Sequence, residues 1–243
     1  MGGCNCLEKR TEEDNEIKKT DSKDLDNSEP EIYNTFNQNE YENVLLNEKN
    51  NKDDKEDENT NLESNIVNEN EQQSNKFNNT TLELINEVRK NPQNYSKKIL
   101  DNMKYIMEEK GKKIFKKKVK VLLNRGEEAF KEAASILEKT TPMNELVMKP
   151  QIAIPLPENE DEMNDNIMLR NKVNRIREEH NINVYFKNMI KNPEIAVLLL
   201  IVDDSSNNPG KKRNAILNPE FRKIGIDSRF IGSLFVSHFS FSK

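Results

Sequence analysis

An α+β domain behind a disordered tail is the fold class this sequence predicts, and three observations carry it. Charge is split along the chain. Residues 1–77 hold 21 acidic and 9 basic side chains, net −12, whereas residues 78–243 hold 22 acidic and 29 basic, net +7. Apolar residues recur at helical spacing between about 80 and 180, and residues 221–241 are rich in β-branched and aromatic side chains.

The acidic segment is rich in Asn and has no sustained apolar period. It cannot bury enough surface to offset its ordering entropy, so residues 8–78 are expected to be disordered and to act as a tether. Of all 243 residues, 33% are hydrophobic and 33% charged, too polar for one core along the whole length. The remainder, 79–243, is long enough for one domain. No run approaches a membrane span. With two His and two Cys, both Cys within the first six residues, the body has little for a histidine-rich metal site and nothing for a disulfide or a Cys-based zinc site.

The first seven residues read as an acylation segment. Met1-Gly2-Gly3-Cys4-Asn5-Cys6 offers Gly2 to myristate once Met1 is removed, and Cys4 and Cys6 to palmitate. One acyl chain anchors reversibly; a second makes the anchoring stable. Cys6 stands where the usual myristoylation pattern has Ser or Thr. Leu7-Glu8-Lys9-Arg10 is not the apolar core of a secretory signal. These residues predict a protein that is not secreted but held by lipid at the cytoplasmic face of a membrane. Its acidic tether would be repelled by an anionic leaflet.

Within the body, Leu82, Ile85 and Val88 predict a helix capped by Thr80 or Thr81 and ended at Asn91-Pro92. Tyr95, Ile99, Met103 and Ile106 continue at helical spacing. The basic run 110–120 reads best as a solvated, locally extended loop, with anionic membrane contact as the second reading. Nucleic acid comes last, since no aromatic interleaving or recognition motif accompanies the run. Glu127–Lys139 is a helix with Phe130, Ala133, Ala134 and Leu137 on one side. Prolines at 150, 155 and 157 make 149–161 a loop, and Asn164 or Asp165 starts another helix. Residues 195–202 are apolar all round and fit a buried strand or a buried helix. Phe221–Ile226 and Ile231–Phe241 read as paired antiparallel strands with Asp227-Ser228 between them.

Several segments, in order, resemble the CAP superfamily (cysteine-rich secretory proteins, antigen 5 and pathogenesis-related proteins) in a divergent protist-type branch. They are Leu84-Ile85-Asn86-Glu87-Val88-Arg89-Lys90-Asn91-Pro92, Gly126–Ala134, Pro142-Met143-Asn144-Glu145-Leu146, Leu200–Asp204, Pro209-Gly210-Lys211-Lys212-Arg213-Asn214, and Ile216–Phe221 followed by Ile224-Gly225-Ile226. The resemblance covers about 79–243. It implies an α-β-α sandwich in which 195–202 is a helix. It also implies a cleft where the family often places two His and two acidic residues around a divalent metal. Lys211 stands where the family's Gly-His-Arg motif has its histidine, and Glu179 or His180 falls at its Gly-Glu-Asn element. An ammonium in place of an imidazole opposes a bound cation. The expectation is a degenerate site at Glu179, His180 and Lys211, with no metal, no cofactor and no catalytic residue.

Other candidates read as structural. His180 suits a helix C-terminus, and His238 is a strand histidine. Asp203-Asp204 suits a cap or solvent, and Ser205 and Ser206 have no positioned base. The function expected is a non-catalytic module that binds a membrane through acyl chains and an unknown protein or lipid through its body. A CAP-domain hydrolase with a rebuilt site is the alternative, and nucleic-acid binding through 110–120 comes last.

Overall fold

Phe77 decides where the packed body begins. The computed structural model describes residues 61–158, Glu162 and 166–243. The first helix among the described residues, α1, runs Asn61–Lys90. Phe77 is buried and meets Phe235 edge-on at 4.8 Å. The Ser228 hydroxyl donates to Asn78 Oδ1 at 2.7 Å, with the Ser74 carbonyl oxygen 3.2 Å away as the alternative acceptor. The boundary expected at 78/79 is therefore too late. Phe77, Thr81, Ile85 and Val88 fall on one buried helical face, and one aromatic ahead of the stripe is enough to dock another turn. Thr80 and Thr81 cap nothing, because they lie mid-helix. The acylation segment 1–7 and the tether up to residue 60 lie outside the described residues.

Pro92 opens α2 (Pro92–Asn102), where its missing N–H costs nothing. A 3₁₀ turn, Met103–Tyr105, ends the helical run, so Ile106 is not helical. Three antiparallel strands follow: β1 (Ile106–Glu109), β2 (Lys112–Lys116) and β3 (Lys120–Leu123). The basic run expected as a loop is thus a β-meander. Lys110 and Gly111, at φ 52° and 74°, form the two-residue turn between β1 and β2. Phe115 and Leu123 point into the main core, and Phe115 stacks on Phe130 at 5.8 Å. Lysines at nearly every other position hide this period of two. Helix α3 (Glu127–Lys139) buries Ala129, Phe130, Ala133, Ala134 and Leu137 as its stripe predicts.

The second sheet has the order β4-β6-β7-β5, comprising β4 (Val147–Met148), β5 (Val184–Asn188), β6 (Lys223–Ile231) and β7 (Leu234–Ser242). β6 and β7 form a hairpin turning at Gly232, φ 59°. Asp227-Ser228, expected between the strands, lie inside β6 and face His238 and Ser237. Gly232 tolerates the left-handed backbone that Asp227 and Ser228 are not asked to adopt. Every residue of β7 is buried, because both faces of the sheet are covered.

One face presents Ile224, Ile226, Phe239, Phe241 and Phe186 to the main core. There it packs with α1 and with α5 (Pro193–Val202), so 195–202 is helical. Asn192 caps α5 by accepting from the Ile195 N–H at 3.1 Å. A short helix, α6 (Lys211–Ile216), rests on α5. The opposite face is covered by residues 150–157 and by Val173 and Ile176 of α4 (Asn166–His180). Helices and a strap on both sides of a mixed sheet make the fold α+β.

Candidate functional site

The covered polar face of the second sheet gathers most of the chemistry-bearing side chains. Register aligns Asp227, His238 and Lys187 across β6, β7 and β5, with Gly225, Ser240 and Tyr185 in the next row. Residues 150–157 cross this face as a strap. Ser240 Oγ donates to the Ile152 carbonyl at 2.5 Å, and the Leu156 N–H donates to Asp227 Oδ2 at 2.8 Å. A Cβ on Gly225 would come within 2.4 Å of the Ala153 nitrogen, so only glycine admits the strap here.

His238 is 1% exposed. Its Nδ1 lies 3.1 Å from the Ile154 carbonyl oxygen and its Nε2 3.0 Å from the Tyr185 hydroxyl. A carbonyl only accepts, so Nδ1 carries the proton and Nε2 accepts from Tyr185. Burial, together with the charge of Lys187, pushes the imidazole down to about 3. It is a neutral structural joint, with both nitrogens satisfied. Burial also lowers the Lys187 ammonium.

A second network joins α3, α5 and α6. Glu132 accepts from both Arg125 and Arg213, and the Arg125 contact chiefly holds its carboxyl below the usual range. Arg213, 2% exposed, donates from one nitrogen to the Ile201 and Val202 carbonyls at 3.2 and 3.0 Å. It thereby satisfies the C-terminal turn of α5. Gly210, φ 86°, leaves room for that guanidinium, which a Cβ would meet at 2.7 Å. Asp203 ends α5 in a left-handed conformation and accepts from the Lys212 N–H at 2.7 Å. Asp204 accepts from the N–H groups of Asn124, Arg125 and Gly126 at 2.5, 2.8 and 3.2 Å, ahead of α3. Burial raises both aspartates against the downward pull of those donors. The acidic pair is a set of caps.

Arg89 has a role that no local pattern in the sequence signals. It is fully buried, and its guanidinium donates to the carbonyls of Asn144, Ile216, Asn218 and Phe221 at 2.5–3.1 Å. Burial, and then the charge of Arg222, lowers it to about 10.

The positions expected to form a degenerate cleft do not converge. Glu179 and His180 end α4, on the strap side of the sheet, whereas Lys211 is exposed at the start of α6, which packs with the main core on the other side. Ser206 donates to Asn207 Oδ1, at 3.3 Å. No group of three or more His, Cys, Asp or Glu is gathered for a metal among the described residues. A depression of about 480 Å³ between Lys139–Asn144 and Leu217, Pro219 and Arg222 holds no carboxylate, imidazole or thiol. No described helix is long and apolar enough to cross a membrane. No family model matches this chain, and neither a curated protein nor a solved structure matches it.

Proposed function

We propose that this chain is a lipid-anchored, non-catalytic module of the CAP type, held at the cytoplasmic face of a membrane and binding a protein or lipid there. The observation that carries the reading is the placing of both cysteines, Cys4 and Cys6, beside Gly2 in the first six residues. The CAP assignment is supported by Arg89, which belongs to one segment of the resemblance and donates to the carbonyls of Ile216, Asn218 and Phe221 in another. The non-catalytic reading is supported by how the polar groups are used. His238, Arg213, Asp203 and Asp204 all hold structure.

Cell fractionation tests the reading. The wild type should partition with membranes, and a Gly2→Ala, Cys4→Ser, Cys6→Ser variant should be released to the soluble fraction. Equal partition of the two would overturn the anchor.

A further inference from the structure

The positive charge of the body is concentrated in one place. Between Lys97 and Lys120 lie ten lysines, no arginine and three acidic residues, net +7. The rest of 78–243 is balanced, with 19 basic and 19 acidic residues. This stretch spans α2 and the three-stranded meander, and nine of the ten lysines are exposed. Two carboxylates offset part of the charge. Glu109 pairs with Lys116 and Lys120, and Glu194 with Lys118.

The register divides the meander into unlike faces. Ile106, Phe115, Val121 and Leu123 turn to the main core. Met107, Ile114 and Leu122 pair across the three strands on the other face and take no part in that core. Met107 is 41% exposed, Leu122 is half-buried and Ile114 is buried, so Met107 is the exposed end of the row. Lys112, Lys116 and Lys120 share this outer face with one carboxylate, Glu109, which pairs with Lys116 and Lys120. A short aliphatic stripe is thus edged by long, flexible ammonium side chains.

We infer that the outer face of the meander docks onto an anionic lipid surface, with Lys112, Lys116 and Lys120 among the headgroups and Met107 at the acyl boundary. Lysine stems lie along apolar surface while their charges reach the headgroups. The absence of arginine fits a diffuse charged surface better than bidentate recognition of single phosphates. The outer face carries no aromatic ring on which nucleobases could stack. The membrane setting rests on the function proposed above, but the docking itself needs no acyl chain.

Full-length protein made in bacteria without acyl transferases separates the two ideas. It is mixed with vesicles of phosphatidylcholine alone or with phosphatidylserine. It should float with the phosphatidylserine vesicles and be released as salt rises. Each lysine near such a surface contributes about a factor of five, so Lys112→Gln, Lys116→Gln, Lys120→Gln should bind on the order of a hundredfold more weakly. Lys131→Gln, Lys139→Gln, Lys223→Gln, with the same charge change elsewhere, should lose far less.

The chain has no tryptophan, so Met107→Trp supplies a single reporter that does not depend on the charge variants. Its emission should shift to the blue on adding phosphatidylserine vesicles, and that of Val147→Trp should not. Equal binding to neutral vesicles, equal losses in the two triple variants, or unshifted emission from the Met107→Trp variant would each overturn the docking. So would no binding by the full chain, the result expected if its own acidic N-terminal segment covers the face. None of these outcomes bears on whether Gly2 is acylated.

Discussion

His238 is neutral because a carbonyl, a phenol and full burial leave the proton one place to sit, on Nδ1. That state has a pH signature. Folding lowers the imidazole from its ordinary 6.5 to about 3, so the unfolded chain binds the extra proton between those values. The stabilisation is complete above pH 6.5 and is lost as pH falls toward 3. From pH 6.5 to 5 this one group should remove on the order of 1–2 kcal/mol, a window above most carboxylate titration. Denaturant midpoints across that range should fall for the wild type and stay flatter for His238→Gln. An equal slope in both would remove the assignment. The role could not be read from the sequence, because Tyr185 and His238 meet through β-register at a separation of 53 residues. The same holds for Arg89, whose carbonyl partners Ile216, Asn218 and Phe221 lie more than 120 residues away. For Asp203-Asp204 the residue type suggests capping or solvent, but the partners, Lys212 for Asp203 and residues 124–126 for Asp204, are set by the tertiary fold.

Elements were legible where their own period was strong. The stripe of α3 falls where pattern alone puts it, and the terminal strand pair is present with its turn at Gly232 in place of the expected Asp227-Ser228. Two elements were obscured by composition. The meander hides its alternation behind lysines, and α1 extends into a segment whose polarity argues for disorder. In both, one aromatic makes the difference, Phe115 in β2 and Phe77 in α1. Phe77→Ala should therefore cost about 3–4 kcal/mol, read as a lowered denaturant midpoint with α1 released from β6. A loss below about 0.5 kcal/mol would return the boundary to residue 79. The apolar run 195–202 shows the converse limit. A segment buried on every side has no polar face to report its period, so only its packing between α1 and α3 reveals a helix.

On the scale of the molecule, charge is the least evenly distributed property. A net of −12 over residues 1–77 precedes a body whose whole +7 lies between Lys97 and Lys120. Crowding like charges on a small sheet opposes folding through self-repulsion, which salt relieves. A face kept for binding at some cost in stability behaves in a testable way. Lys110 and Lys112 form no ion pair among the described residues. Lys110 also holds φ 52°, a turn position that suits Asn before Gly111. Lys110→Asn with Lys112→Gln should thus stabilise the body by about 0.5–1 kcal/mol at low salt. The advantage should shrink as salt rises to what the turn alone supplies. The same pair should weaken attachment to phosphatidylserine vesicles, so stability and binding would move in opposite directions. A double variant less stable than the wild type at low salt would show that the clustered lysines do not burden the fold and are not kept at its expense.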